Sequence, residues 1–335
     1  RRAIIASCNI AHVLVAAFLF VYAETGATAP WPIFVVLLIH GGARAFYHPS
    51  LTSILPNIVP RQQFPSAIAY ATSVGKLSQL AGPALAGILI ALIGLWVYLV
   101  ALVSFAIAAV CAALLVSPSR ERPRRAIGLA ELVSGFVYVW NTRLVLAVMS
   151  MDLVAILFSG ILGMLPVFAR DILDVGPQGL GILRAMPAVG AVTVGLFLAQ
   201  LPLRENVGRT LIISVVVIGL ASTAFAFSEL FWLSLLLLVV FGAADMVSTN
   251  IRQTLVQLAT PDGMRGRVAS VHGVTTNASN EIGDFRAGVT AAVIGIVPAV
   301  AVGGLVTVSL SLLWWRIFPD LRKASMYGTR CTGSP

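Results

Sequence analysis

Eight ionisable side chains stand inside long apolar stretches: Arg44, Lys76, Asp152, Asp245, Arg252, Glu281, Asp284 and Arg286. A charge at the middle of a bilayer costs roughly 2.5–3.5 kcal/mol on insertion scales, so such groups face a cavity or a partner. The chemistry open to them is proton exchange at the carboxylates and charge pairing at the cations. Asp152 lies deep in its apolar run with no basic neighbour in sequence. Desolvation favours the neutral form of an unpaired carboxyl, so Asp152 is a candidate proton carrier, with a polar contact to a neighbouring helix as the alternative.

The stretch 267–294 is the least lipid-like. Ser270, His272, Thr275, Thr276, Asn277, Ser279, Asn280, Glu281 and Asp284 crowd it, so it must line water or protein. Glu281 and Asp284 are three apart and share a helical face, where two carboxylates resist joint ionisation. Asp152, Asp245, Glu281 and Asp284 are thus the proton-coupling candidates. Arg286 is turned about 100° per residue away from its neighbours and is not expected to pair within the helix. With Arg44, Lys76, Arg252, Asn277 and Asn280 it makes up the candidates for charge pairing or substrate contact. Lys76 could instead snorkel to the membrane face. Arg252 is seven residues beyond Asp245 and so on the same helical face. Asp262, Arg265 and Arg267 fall in a short loop and suit a gate or a topology signal.

These side chains require helices to hold them. The chain is 59% hydrophobic and 10% charged, with mean hydropathy +0.96, where a soluble domain carries roughly 25% charge. Continuous apolar runs, without alternation, predict spanning helices near 3–23, 32–55, 66–93, 96–117, 142–168, 178–200, 209–228, 230–258, 267–294 and 297–318. The fold class is an all-α polytopic membrane protein. Numbering the gaps alternately puts sixteen Arg and Lys on one side and only Arg170 and Arg184 on the other. That asymmetry places the basic loops in the cytoplasm and accounts for the net charge of +9 without a nucleic-acid partner. The six Trp fall near span ends, as interfacial belts do. Cys8, Cys111 and Cys331 are scattered, and the four His have no ligand spacing, so neither a disulfide framework, a metal site nor a cofactor is indicated.

Residues 41–87 and 242–288 read as two copies of one segment at an offset of 201. Gly41 meets Gly242, Pro60 meets Pro261, Gly82 meets Gly283 and Gly87 meets Gly288. Where the copies diverge, charge appears: Arg44 stands opposite Asp245, Lys76 opposite Asn277, and Leu80 and Pro83 opposite Glu281 and Asp284. A parallel repeat in an apolar chain suggests two membrane halves around a pathway, with Arg44 and Asp245 facing across it either as a switch or as a structural salt bridge. The expected domains are a first bundle at 1–117, a cytoplasmic linker at 118–141, a six-helix bundle at 142–318 and a polar tail at 319–335. Within the linker, 130–140 reads as an amphipathic helix with Leu132, Phe136 and Trp140 on one face. The repeat also implies two further helices ahead of residue 1, giving a twelve-span parent of which about ten spans are present.

GKLSQLAGPALAG at 75–87 resembles the glycine-proline motif in the fifth helix of antiporters of the major facilitator superfamily. Arg1 and Arg2 look like the end of that superfamily's basic loop between helices two and three. ARAFYHPSLTSILPNIVP at 43–60 and QLATPDGMRGRVAS at 257–270 are similar to the branch containing the enterobactin exporter and macrolide-efflux pumps. The likeness departs at 201–209, where the second copy of the basic loop is degenerate. The resemblance implies a two-bundle fold in a bacterial inner membrane and proton-driven export of an amphipathic compound, either a siderophore or a drug-like molecule. Gly75, Gly82, Pro83 and Gly87 would then form a bent, closely packed helix suited to rocking, and Arg1, Arg2, Asp262, Arg265 and Arg267 the cytoplasmic gate loops.

The expected partners are protons, a small-molecule substrate and the bilayer, with the protein acting as a monomer. No G-x-x-x-x-G-K-[ST] stretch, HExxH or GxSxG is present, which argues against ATP drive and against an enzyme. A gradient-independent facilitator and a non-transporting scaffold or sensor stay open as alternatives.

Overall fold

The computed structural model describes residues 2–27, 29–59, 74–75, 78, 82, 85–90, 92–115, 129–200, 206–261 and 263–322. The expectations for Arg1, Lys76, Pro83 and Asp262, for 118–128 of the linker and for 323–335 lie outside those residues. Among the described residues every regular element is helical. The chain divides into two compact units, Arg1–Arg124 and Arg125–Pro335.

In the first unit, α1 (Arg2–Glu24) packs against α2 (Trp31–Ile58) and against α3 (Val97–Leu114), which a 3-10 turn at Gly94–Trp96 introduces. Arg2 donates from Nη1 to the Leu115 carbonyl at 3.1 Å. A cation there satisfies an orphan group at the C-terminal end of α3. His12 is buried, its ring 4.6 Å from that of His40 and 5.0 Å from that of Phe105.

The second unit carries α4 (Leu129–Asn141), α5 (Arg143–Ser159), α6 (Ile161–Asp171), α7 (Gly176–Gln200), α8 (Val207–Ala226), α9 (Phe231–Ala259), α10 (Arg265–Ile294), α11 (Ile296–Ile317) and the short α12 (Pro319–Arg322). Among the described residues seven stretches are long and apolar enough to cross a membrane, with α5 and α6 counted as one. Helix α10 is as long as any of them but too polar to qualify by composition, as its sequence requires. Large apolar side chains point outward along the helices, Leu38, Trp232 and Val293 each being more than three-quarters exposed. Lipid is the solvent in which such a surface is stable.

Glycines set how closely the helices approach. A Cβ on Gly242 of α9 would strike the Pro187 carbonyl of α7, and one on Gly190 would strike the Val239 carbonyl in return. Gly219 of α8 and Gly304 of α11 meet in the same reciprocal way, and Gly283 of α10 brings its helix against Ile156 of α5. Small residues permit such contact where no hydrophobic effect drives association. Beneath them lie two apolar clusters, one around Val148, Ile251, Leu255 and Val268 and the other around Leu165, Phe168, Leu183, Phe225 and Leu238.

Two expectations are corrected. The span at 142–168 is not one helix: Gly160, at φ +49°, ends α5 in a left-handed turn, and α6 starts beside it with Pro166 inside. The tail does not begin as a free polar extension, because α12 follows directly on α11 and buries Leu321 completely. Among the described residues nothing lies within 4 Å of a Cβ placed on Gly75 or Gly82, and Gly87 is buried.

Candidate functional site

Asp152, which has no basic neighbour in sequence, meets Arg252 and His272 in space. Arg252 Nη2 lies 2.8 Å from Asp152 Oδ1, and the two side chains are almost wholly buried at 3% and 5% exposure. The approach is an ion contact without the alignment of a hydrogen bond. His272 Nε2 lies 3.4 Å from Asp152 Oδ2, and Thr276 donates its hydroxyl to the same oxygen at 3.2 Å. The guanidinium is held from its own helix, Nη1 donating to Ser248 at 2.7 Å and Nη2 to Thr249 at 2.8 Å.

The elements explain the meeting. Asp152 is the tenth residue of α5, Arg252 the eighth from the end of α9 and His272 the eighth of α10. At 1.5 Å per residue all three lie about 10–14 Å from the same end of the unit. His272 and Thr276 are four apart, so both face α5. A burial this deep is tolerated because each charge has an opposite one and the remaining polar atoms have hydroxyl partners.

An open cleft of about 290 Å³ leads to this cluster. One wall is Gln253, Val256, Gln257 and Thr260 of α9, the other Arg265, Val268, Ala269 and His272 of α10. Both walls run i, i+3, i+4, i+7, which is one face of each helix. Arg265 folds back on α9, its Nε 3.3 Å from the carbonyls of Gln257 and Thr260. Arg267 reaches α4, donating to Ser134 at 3.3 Å, and Tyr138 of α4 donates to the Ala259 carbonyl at 2.8 Å. The two loop arginines are thus helix-end clamps.

Arg286 serves the helix break. Its Nε and Nη2 donate to the carbonyls of Leu157 and Phe158 at 3.0 and 2.9 Å, and its Cζ stands 5.3 Å from the Phe158 ring centre. Those carbonyls belong to the last turn of α5, where a cation complements the helix dipole. Arg286 therefore pairs with backbone, and sequence gave no sign of it because the break at Gly160 was not anticipated.

Asp284 lies over Gly163 of α6, so close that a Cβ there would sit 2.6 Å from Oδ1. Glu281 and Arg184 are the charged groups that act on it. Asn277, Asn280, Glu281 and Asp284 are exposed along α10, as is Asp245 on α9. Arg44 is exposed on α2, in the other unit. Sequence reasoning missed Ser248 and Thr249 altogether and read His272 and Thr276 only as part of a polar helix. The spacing of His272 and Thr276 relative to each other was the available signal. Among the described residues no three metal-ligating side chains converge.

Among the described residues the chain is an all-α, polytopic membrane protein with an Asp–Arg pair buried among its helices. Solved structures of similar fold include the nucleoside transporter NupG, with a TM-score of 0.71 at 15% identity over 95% of this chain and 83% of that one. A bacterial homologue of the iron transporter ferroportin in its inward-facing state gives 0.64 at 17% over 97% and 83%. Residues 1–326 match the family described as transmembrane secretion effector, and the chain belongs to it. Relatives include the enterobactin exporter EntS of Citrobacter koseri, 25% identical over 276 residues, 82% of this chain and 66% of that protein. The multidrug efflux pump Tap of Mycolicibacterium fortuitum is 27% identical over 284 residues, 78% of this chain and 66% of Tap. The chain thus spans slightly under two thirds of the length of these relatives. These proteins are transporters, not enzymes.

Proposed function

We propose that this protein acts as a secondary exporter that moves a small amphipathic compound out of a bacterial cell in exchange for protons. The observation that carries the reading is the buried Asp152–Arg252 pair with His272 and Thr276 on the second carboxylate oxygen. A carboxylate so placed has two discrete states. Ionised, it holds Arg252; protonated, it loses the attraction that keeps the guanidinium there, and α5, α9 and α10 are freed to repack. A proton is thereby converted into a change in how three helices hold together, which is what alternating access needs.

The export direction and the ligand class are carried over from relatives named as an enterobactin exporter and a multidrug efflux pump. Asn277 and Asn280, exposed on α10, are the candidates of the second unit for contact with such a ligand. The charge asymmetry of the loops supports a cytoplasmic location for the end of the unit where α5 begins and α9 ends.

The test is the protein in proteoliposomes, with a pH-sensitive dye inside and enterobactin, a macrolide and a cationic dye added in turn. Substrate-triggered proton movement supports antiport and names the ligand class. Transport without proton movement would point instead to a facilitator and leave the acids a structural role.

A further inference from the structure

The cleft between α9 and α10 ends on His272, and this joins two observations so far separate. One face of that imidazole touches the buried carboxylate, with Nε2 3.4 Å from Asp152 Oδ2. The side chain is nevertheless about a quarter exposed, and it forms the inner end of the cleft. The two charges behind it, Asp152 and Arg252, are sealed. Between the cluster and the helix ends runs a space of about 290 Å³, room for several waters at roughly 30 Å³ each. Gln253, Gln257, Thr260 and Arg265 offer polar groups along it. From Arg265 to His272 is seven residues, or about 10 Å of helix.

We propose that His272 is the port through which the Asp152 carboxyl exchanges its proton with water in this cleft. The transfer balances within the imidazole. Asp152 Oδ2–H gives its proton to Nε2, and the proton on Nδ1 passes to a water of the cleft. The ring then returns to its starting tautomer by rotation or by a second water. Nothing is oxidised or reduced. Thr276, donating to Oδ2, fixes the oxygen that faces the ring. The charged groups around the imidazole among the described residues are Asp152 from α5, Arg252 from α9 and Arg265 from the first turn of its own helix. As Asp152 gives up its proton, Arg252 stabilises the carboxylate left behind, so the two cations act at opposite ends of the transfer.

This assignment rests on the antiport reading but is tested without any substrate. The protein in a lipid film is followed by infrared spectroscopy through steps of pH. A carboxylic C=O stretch lost in Asp152→Asn identifies the Asp152 proton. His272→Gln, which keeps a polar side chain of similar reach, should slow the response of that band by about a hundredfold, the usual scale of a positioned acid–base group. Gln257→Trp, which fills the cleft without touching the cluster, should slow it as well and guards against a folding defect in the first variant. Wild-type relaxation in both variants would overturn the port, as would the absence of any Asp152-dependent band. Proton flux in proteoliposomes is scored separately. Normal port kinetics without substrate-coupled flux would remove the antiport reading alone, and coupled flux surviving His272→Gln would remove the port alone.

Discussion

Arg252 of α9 and Asp152 of α5 meet at 2.8 Å, a hundred residues apart in sequence, in a part of the unit where neither reaches the surface. Each explains the other. An arginine alone at that depth, or an aspartate alone, would be an uncompensated buried charge, and removing one partner of such a pair costs about 3–5 kcal/mol. Asp152→Asn and Arg252→Met should therefore each lower the unfolding temperature of the purified protein. The double substitution should be less harmful than the sum, because neither charge is then left alone. A thermal-shift series in one detergent decides it, and strict additivity would mean the contact is not a coupled pair.

The break at Gly160 has a dedicated cation. Arg286→Met removes two charge-assisted hydrogen bonds to the carbonyls of Leu157 and Phe158, at a cost of about 1.5–3 kcal/mol for each bond to a charged group, less whatever water recovers. Arg286→Lys should recover only part, since an ammonium cannot span both carbonyls as a planar fork does. Comparing unfolding temperatures of the three proteins checks this. Equal losses for Met and Lys would show that the fork geometry is what matters, and no loss in either would end the capping account.

Those two arginines show what the sequence could and could not reveal. Apolar runs and loop charges were sufficient for an all-helical membrane chain, because lipid leaves the backbone few alternatives and repeats its demand over about twenty residues. The costly residues were visible for the same reason. What they touch was not. Asp152 and Arg252 meet through packing of α5 against α9, which no spacing encodes, and Arg286 pairs with backbone carbonyls that exist only because Gly160 stops a helix. Asp245 is exposed, whereas Arg252, on the same helical face of α9, is buried. A shared helical face fixes direction but not depth. Seven residues along α9, the neighbours change.

Helix α4 should act as a strap on the α9–α10 loop. Gly135 sits so near the Arg267 carbonyl that a Cβ would come within 2.9 Å, and Tyr138 and Arg267 close the contact from either side. On the opposite face Phe136 and Trp140 stack at 6.1 Å and are more than half exposed, as a helix seated in an interface would be. Gly135→Val should lift the strap and speed trypsin cleavage at the arginines of 120–125, while Tyr138→Phe should cost only about 0.5–1.5 kcal/mol and leave the cleavage pattern alone. Digests of the two variants that match wild type would show that α4 does not depend on the loop.

The reciprocal glycines make the sharpest stability test. Gly242 of α9 and Gly190 of α7 each bring a backbone carbonyl of the other helix into the space a Cβ would fill. The obstacle is backbone, not the end of a flexible side chain, so no rotamer change relieves it and the helices must separate along their length. Gly242→Leu should therefore lower the yield of monodisperse protein severely, by more than the usual 1–3 kcal/mol of an overpacked core. Gly288→Ala on α10, where a Cβ meets nothing within 4 Å, should be neutral or slightly favourable because alanine is the better helix former. Size-exclusion profiles of the two variants provide the comparison. A normal profile for Gly242→Leu would mean that α7 and α9 are not held at the separation seen here, whereas loss in both would show that glycine is needed on α10 for something other than room.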